Sequence, residues 1–165
     1  MERIEDIILR HSQRGMTKLR PCLDADYCRL AAEEIYSWKR GVVFLTTGFY
    51  VAGYPETDGP TGTAVLASVL RDMGFRPMIV TEPENAELFT IRGFEVISAK
   101  VGVDAGFFRQ IISEYQPVGM ISVERCGRNA EDDYANMRGV SIREHNASTD
   151  VLFQIAPEYG VRTVG

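Results

Sequence analysis

Between residues 42 and 164, short β-branched and aromatic runs alternate with segments of helical periodicity, and this alternation constrains the fold more than any other feature of the sequence. Val42 to Thr46 is a continuous apolar run, as expected of a strand covered on both faces. Pro60 then opens a helix with Leu66, Val69, Leu70 and Met73 on one face, and Gly74 ends it. Pro77 to Val80 is a second strand, and Thr81-x-x-Glu84 reads as a capping box for a helix reaching about Arg92. Phe94 to Ser98 is a third strand. Asp104 caps a helix carrying Phe107, Phe108, Ile111, Ile112 and Tyr115, and Val118 to Val123 is a fourth strand. A last helix starts at Thr149 or Asp150, and Val161 to Val164 is a fifth strand. Ahead of this core, residues 2–12 and 24–39 have amphipathic helical spacing, with His11 on the apolar face of the first and Asp24 as N-cap of the second. Residues 15–21 read as the loop between them.

The pattern specifies an α/β fold: a doubly wound, mainly parallel Rossmann-like sheet of five or more strands with helices on both faces, preceded by an N-terminal helical segment. A single domain is expected over 1–165, with 1–40 as the helical preface and 41–165 as the sheet core. At 165 residues such a chain can bury a core without disulfide or metal staples. Right-handed crossovers give the spatial order third, second, first, fourth, fifth, so the switch point lies between the first and fourth strands. Ligands bind such sheets beside that point, at the strands' carboxyl ends. The two unusual loops of the sequence follow those same two strands.

Composition narrows the partners. Eighteen Lys and Arg against 23 Asp and Glu give a net charge of −5, the wrong sign for neutralising a row of phosphates, so nucleic acid is not expected. Cys22, Cys28 and Cys126 are odd in number and form no CxxC pair, which fits a reducing compartment. The first residues do not form a secretory signal and no apolar run is long enough to span a membrane, so a cytoplasmic protein is expected. The Asn146-Ala147-Ser148 sequon is read as chance. A homo-oligomer is left open.

The first loop, Thr46 to Thr63, holds four glycines, two prolines and several hydroxyls ahead of a helix whose free N–H groups face the sheet edge. Thr46, Thr47, Gly48, Thr57, Gly59 and Gly62 are its candidate binding residues, and an anion site is the natural reading. There is no GxGxxG and no Gly-Lys-Ser/Thr, so neither a dinucleotide nor a Walker fingerprint is present. Glu56 and Asp58 would repel a bound phosphate unless a metal intervened. Alternatively, Asp58 only caps the helix and the glycines only shape a turn.

The second loop begins Glu124-Arg125-Cys126-Gly127-Arg128 and runs past Tyr134, Asn136 and Arg138. It exceeds the length of an ordinary connection. Glu124 lies where a parallel strand ends, and Arg125, Arg128 and Arg138 could clamp a carboxylate through their planar forks. The competing reading is a Glu–Arg network that only orders the loop. Cys126 and His145 are weak candidates, the first lacking a neighbouring base and the second a companion histidine.

The runs TTGFYVAGYPETDGPTGTAVLASVLRDMGFRPMIVTE and ISVERCGRNAEDDYANMRGVSI resemble the C-terminal domain of the D-glutamate cyclase family, essentially over residues 1–165. The resemblance implies a lyase, a hydro-lyase that interconverts D-glutamate and 5-oxo-D-proline plus water, and hence a small-molecule carboxylate as substrate. In that family a glycine-rich acidic loop of the type GDGGNE follows a last strand like Val161–Gly165, so the sequence is expected to be truncated after this strand. Lactam closure requires the substrate carboxylate to be held, a proton taken from nitrogen and one given to the departing oxygen. Asp58 and Glu124, with Glu56, are the candidates for proton transfer. Arg125 or Arg138 is expected on the substrate carboxylate, with Arg128 and Asn136 close by. No cofactor is certain. A divalent metal, Mg or Mn, would find its oxygen ligands in Glu56, Asp58 and Glu124. The alternatives are a metal-dependent enzyme of phosphate esters or nucleotides, and a noncatalytic small-anion-binding domain.

Overall fold

The VVFLTT run forms β1 (Val42–Thr47), buried from its second residue onward, as its lack of polar alternation requires. Four more strands join it: β4 (Arg76–Thr81), β5 (Glu95–Ser98), β6 (Gly119–Val123) and β7 (Arg162–Val164). The sheet order is β5-β4-β1-β6-β7 and every neighbouring pair is parallel, the order expected from the crossovers. Thr46 lies opposite both Val80 and Ser122, so β1, β4 and β6 end at one level. This computed structural model describes residues 2–12, 15–48, 50–51 and 53–165. Phe49 and Ala52 of the first loop lie outside the described residues.

Alternation along the strands sends side chains to two layers. Phe44, Met78, Val80 and Met120 pack with Phe108, Ile111 and Ile112 of α6 (Ala105–Tyr115) and with Leu152 and Ile155 of α7 (Asp150–Ile155). The intervening residues Val43, Leu45, Ile79 and Ile121 are also buried, on the face covered by α4 (Asp58–Asp72) and α5 (Pro83–Thr90). Truncating a fully buried residue such as Phe44 should cost about 3–5 kcal/mol. Among the described residues no helix is long and apolar enough to cross a membrane.

The chain divides into two compact units, Met1–Trp38 and Lys39–Gly165. The first contains α1 (Ile4–Leu9), α2 (Met16–Leu19), a 3-10 turn at Arg20–Cys22 and α3 (Tyr27–Ser37). The stretch 15–21 is largely helical rather than a loop. Ile4, Ile7 and Ile8 are more than half exposed and His11 is exposed, whereas Glu5 is 1% exposed. Arg20 Nη2 donates to the Glu5 carboxylate at 3.2 Å, and pairing of this kind is what a buried charge needs. The residue preceding α3 is Asp26, not Asp24, in a left-handed turn at φ 60° that an aspartate tolerates better than most residues.

In the second unit a short hairpin, β2 (Tyr50–Val51) with β3 (Tyr54–Pro55), occupies part of the glycine-rich loop. α4 begins two residues ahead of Pro60, because the first turn needs no intrahelical amide and tolerates a proline. The capping box at Thr81 does not form: Thr81 ends β4, and its hydroxyl donates to the Thr47 carbonyl at 2.8 Å. Asp104 does cap α6, accepting from the Phe107 amide at 3.2 Å.

Candidate functional site at the carboxyl edge of the sheet

β1 and β6 are neighbours whose connections leave toward opposite faces, and their carboxyl ends meet at the switch point, where sheets of this kind bind ligands in a crevice. Three carboxylates converge there from separate places in the chain. Glu56 lies between β3 and α4, Asp58 is the first residue of α4, and Glu124 is the first residue after β6. One carboxylate oxygen from each lies within 4.8 Å of the other two. Glu124 is held at φ 45°, a left-handed conformation unusual for a glutamate and of the kind often found at working sites.

Gly59 makes this convergence possible. Its φ is not positive, so backbone freedom does not require glycine there; space does. A Cβ at Gly59 would lie 2.9 Å from Glu124 Cβ and 3.3 Å from both Glu124 Oε2 and Thr47 Oγ1. Thr47 is fully buried, and its hydroxyl has no hydrogen-bond partner among the described residues. A buried hydroxyl without a partner is costly, so the Thr47 oxygen is a donor group awaiting use. Three oxygen anions and a hydroxyl around one small space suit a hard cation, or a substrate that exchanges protons with carboxylates.

Arg125 is a clasp within this edge. Its side chain and that of Glu82 are 3% and 4% exposed, and the two pair in a bidentate manner, Nη1 reaching Oε2 at 2.7 Å and Nη2 reaching Oε1. Arg125 also donates to the carbonyls of Gly48 at 2.9 Å and Ala147 at 2.6 Å, and Glu82 accepts from the Ala147 amide at 2.6 Å. The pair therefore ties the ends of β1, β4 and β6 to the far end of the long loop. Gly48, at φ 113°, is required by both geometry and space: a Cβ there would come within 2.7 Å of Asn85 Nδ2 and 3.2 Å of Arg125 Nη1.

Gly48, Asn85 and Arg125 also line a cleft of about 150 Å³, walled by Tyr50 and His145. The Tyr50 and His145 rings stack with centroids 3.7 Å apart and planes 16° apart, so His145 is a packing partner of the hairpin. Cys126 donates to Asn146 Oδ1 at 3.1 Å, and burial pushes its thiol up, which disfavours the thiolate a nucleophile needs.

The long loop is organised by its own polar residues. Tyr134 is buried, and its hydroxyl donates to Asp150 Oδ1 at 2.5 Å and accepts from Arg128 Nε at 3.0 Å. Burial first and Asp150 second hold the Tyr134 phenol above its ordinary range. Asn136 Oδ1 accepts from the Arg138 and Val140 amides, closing a turn.

Of the residues singled out in the sequence, Glu56, Asp58, Glu124, Thr47 and Gly59 come together, and Gly48 and Arg125 adjoin them. Thr46 is buried toward the other face of β1, its hydroxyl also without a partner among the described residues. Thr57 precedes α4, and its carbonyl accepts from the Thr61 amide and hydroxyl. Gly62 faces open space one turn into α4. Arg128 is engaged by Tyr134 and Asp132, and Asn136 by its own turn. Arg138 is exposed, and among the described residues its guanidinium makes no ion pair. Glu82, Asn85 and Tyr134 were not read as site residues. Glu82 follows the second strand of the sheet, and the rule that pointed to Glu124 would have found it.

The family model described as D-glutamate cyclase-like, C-terminal, matches residues 4–165. No curated relative matches the chain.

Proposed function

Because the chain belongs to the D-glutamate cyclase-like C-terminal family, we propose that it interconverts D-glutamate and 5-oxo-D-proline, with the crevice between β1 and β6 as the reacting centre. The observation that carries the reading is the convergence of Glu56, Asp58 and Glu124 at the switch point. In the closing direction the α-amine must lose a proton before its nitrogen attacks the side-chain carboxyl carbon. A C–N bond forms as the nitrogen gives up a second proton, a C–O bond breaks, and the departing oxygen leaves as water after taking up two protons. Hydrolysis of the lactam reverses each step. The reaction thus needs one group that accepts a proton and one that delivers it, placed on either side of a tetrahedral carbon. Asp58 and Glu124, with a carboxylate oxygen of each within 4.8 Å of the other, fit those two roles, and Glu56 completes the acidic cluster.

The substrate's remaining carboxylate needs a donor. The amides of the first turn of α4 do not supply it, since Gly59 N donates to Asp58 Oδ1, Pro60 has no N–H and Thr61 N donates to the Thr57 carbonyl; Arg138 is a guanidinium available to swing in. Arg125 acts in positioning, since both its Nη groups are committed to Glu82 and to backbone carbonyls. Proton NMR of the protein with D-glutamate or with 5-oxo-D-proline tests the reading. Conversion confined to the D compounds is the expected result, and a protein that converts neither compound at any metal or substrate concentration would refute it.

A further inference from the structure

We propose that Glu56, Asp58 and Glu124, together with the Thr47 hydroxyl, form a binding site for one divalent cation of the magnesium or manganese class. Three oxygen atoms mutually within 4.8 Å always share a point no more than about 2.8 Å from each, against metal–oxygen distances of about 2.0–2.1 Å for magnesium. Small side-chain rotations close that difference, and Glu56 and Asp58 are free to make them: neither is in an ion pair among the described residues. The acidic cluster is not the only sign. Thr47 is fully buried with an oxygen unpartnered among the described residues, and that oxygen and Glu124 Oε2 flank the same gap, each 3.3 Å from the position a Gly59 side chain would take. A cation there would give the orphaned hydroxyl its partner and offset the mutual repulsion of the carboxylates.

The α4 N-terminus carries a partial positive charge of roughly half a unit, which opposes a cation, but three carboxylates outweigh it. With the cation in place, the charge of the cluster no longer repels a substrate carboxylate, and the partial positive charge of the same helix end adds to that attraction. The inference does not rest on the cyclase reading, because binding is measured without substrate.

The test is titration of the EDTA-treated protein with Mn²⁺, followed by the loss of the free-ion EPR signal, with Mg²⁺ as competitor. Saturation at one Mn²⁺ per chain is expected, with affinity falling about ten-fold or more in Asp58→Asn and in Glu124→Gln. Gly59→Ala, which fills the gap, should weaken binding similarly, and Thr47→Val more than Thr47→Ser. Circular dichroism identifies any variant that fails to fold, and Asp58→Asn, an exposed near-isosteric change, decides the matter if Glu124→Gln does not fold. Absence of saturable binding, or undiminished binding in a folded Asp58→Asn protein, would overturn the site. Equal affinities of Thr47→Val and Thr47→Ser would remove the hydroxyl from it.

Discussion

The Arg125 guanidinium reaches one buried carboxylate and three backbone carbonyls from three different segments, and so fixes the geometry around it. Removing it strands Glu82, whose side chain is 4% exposed, as a buried charge without its counterion. Arg125→Ala should therefore lower stability by about 3–5 kcal/mol in urea denaturation, and Arg125→Met combined with Glu82→Leu should recover part of that loss by leaving neither charge behind. A single variant as stable as the parent would show that the clasp holds nothing. Lysine cannot substitute, since a point charge on a flexible stem cannot serve a bidentate carboxylate and the carbonyls at once. The sequence located Arg125 at a strand end but gave no means of choosing between a substrate clamp and an internal ion pair. That choice depends on Glu82, 43 residues earlier, and on a loop path that no periodicity encodes.

The elements differ in how legible they were. The strands and the helices α4 to α7 are visible because their apolar spacing and their glycine and proline stops agree with the tertiary packing that buries them. The β2–β3 hairpin and the helical turns at 16–22 are not, being too short for any period to register. In α1 the apolar spacing misled, because an ion pair between Glu5 and Arg20, rather than the isoleucine stripe, is what the unit buries. The loop after β6 was visible only as an excess of length. Its order comes from Tyr134, Asn129 and Asn136, whose side chains bond within the loop and to Asp150 at the start of α7. Tyr134→Phe deletes the contact to Asp150 and the acceptor for Arg128, at a cost of about 1 kcal/mol. Amide hydrogen exchange across residues 126–149 should accelerate in that variant while the sheet amides keep their protection. Unchanged exchange in the loop would mean that the phenol does not organise it.

At the scale of the whole chain, topology carries the functional argument. The order of five parallel strands fixes a single switch point, and the switch point selects which two loops can share a substrate. The approach of Asp58 to Glu124 therefore follows from strand order, although 66 residues separate them in the chain. The finer geometry, with Gly59 leaving a gap and Thr47 facing it, was not legible, since a glycine chosen for space looks in sequence like one chosen for a turn. The central claim is that this acidic crevice opens and closes a lactam, and oxygen exchange reports on it directly. Incubating the protein with 5-oxo-D-proline in ¹⁸O-labelled water should give D-glutamate carrying the label in its side-chain carboxylate, as read by mass spectrometry. Labelling should disappear in Asp58→Asn and Glu124→Gln proteins that remain folded. Label entering D-glutamate at the parent rate in both variants, or no label entering with the parent protein, would contradict the account.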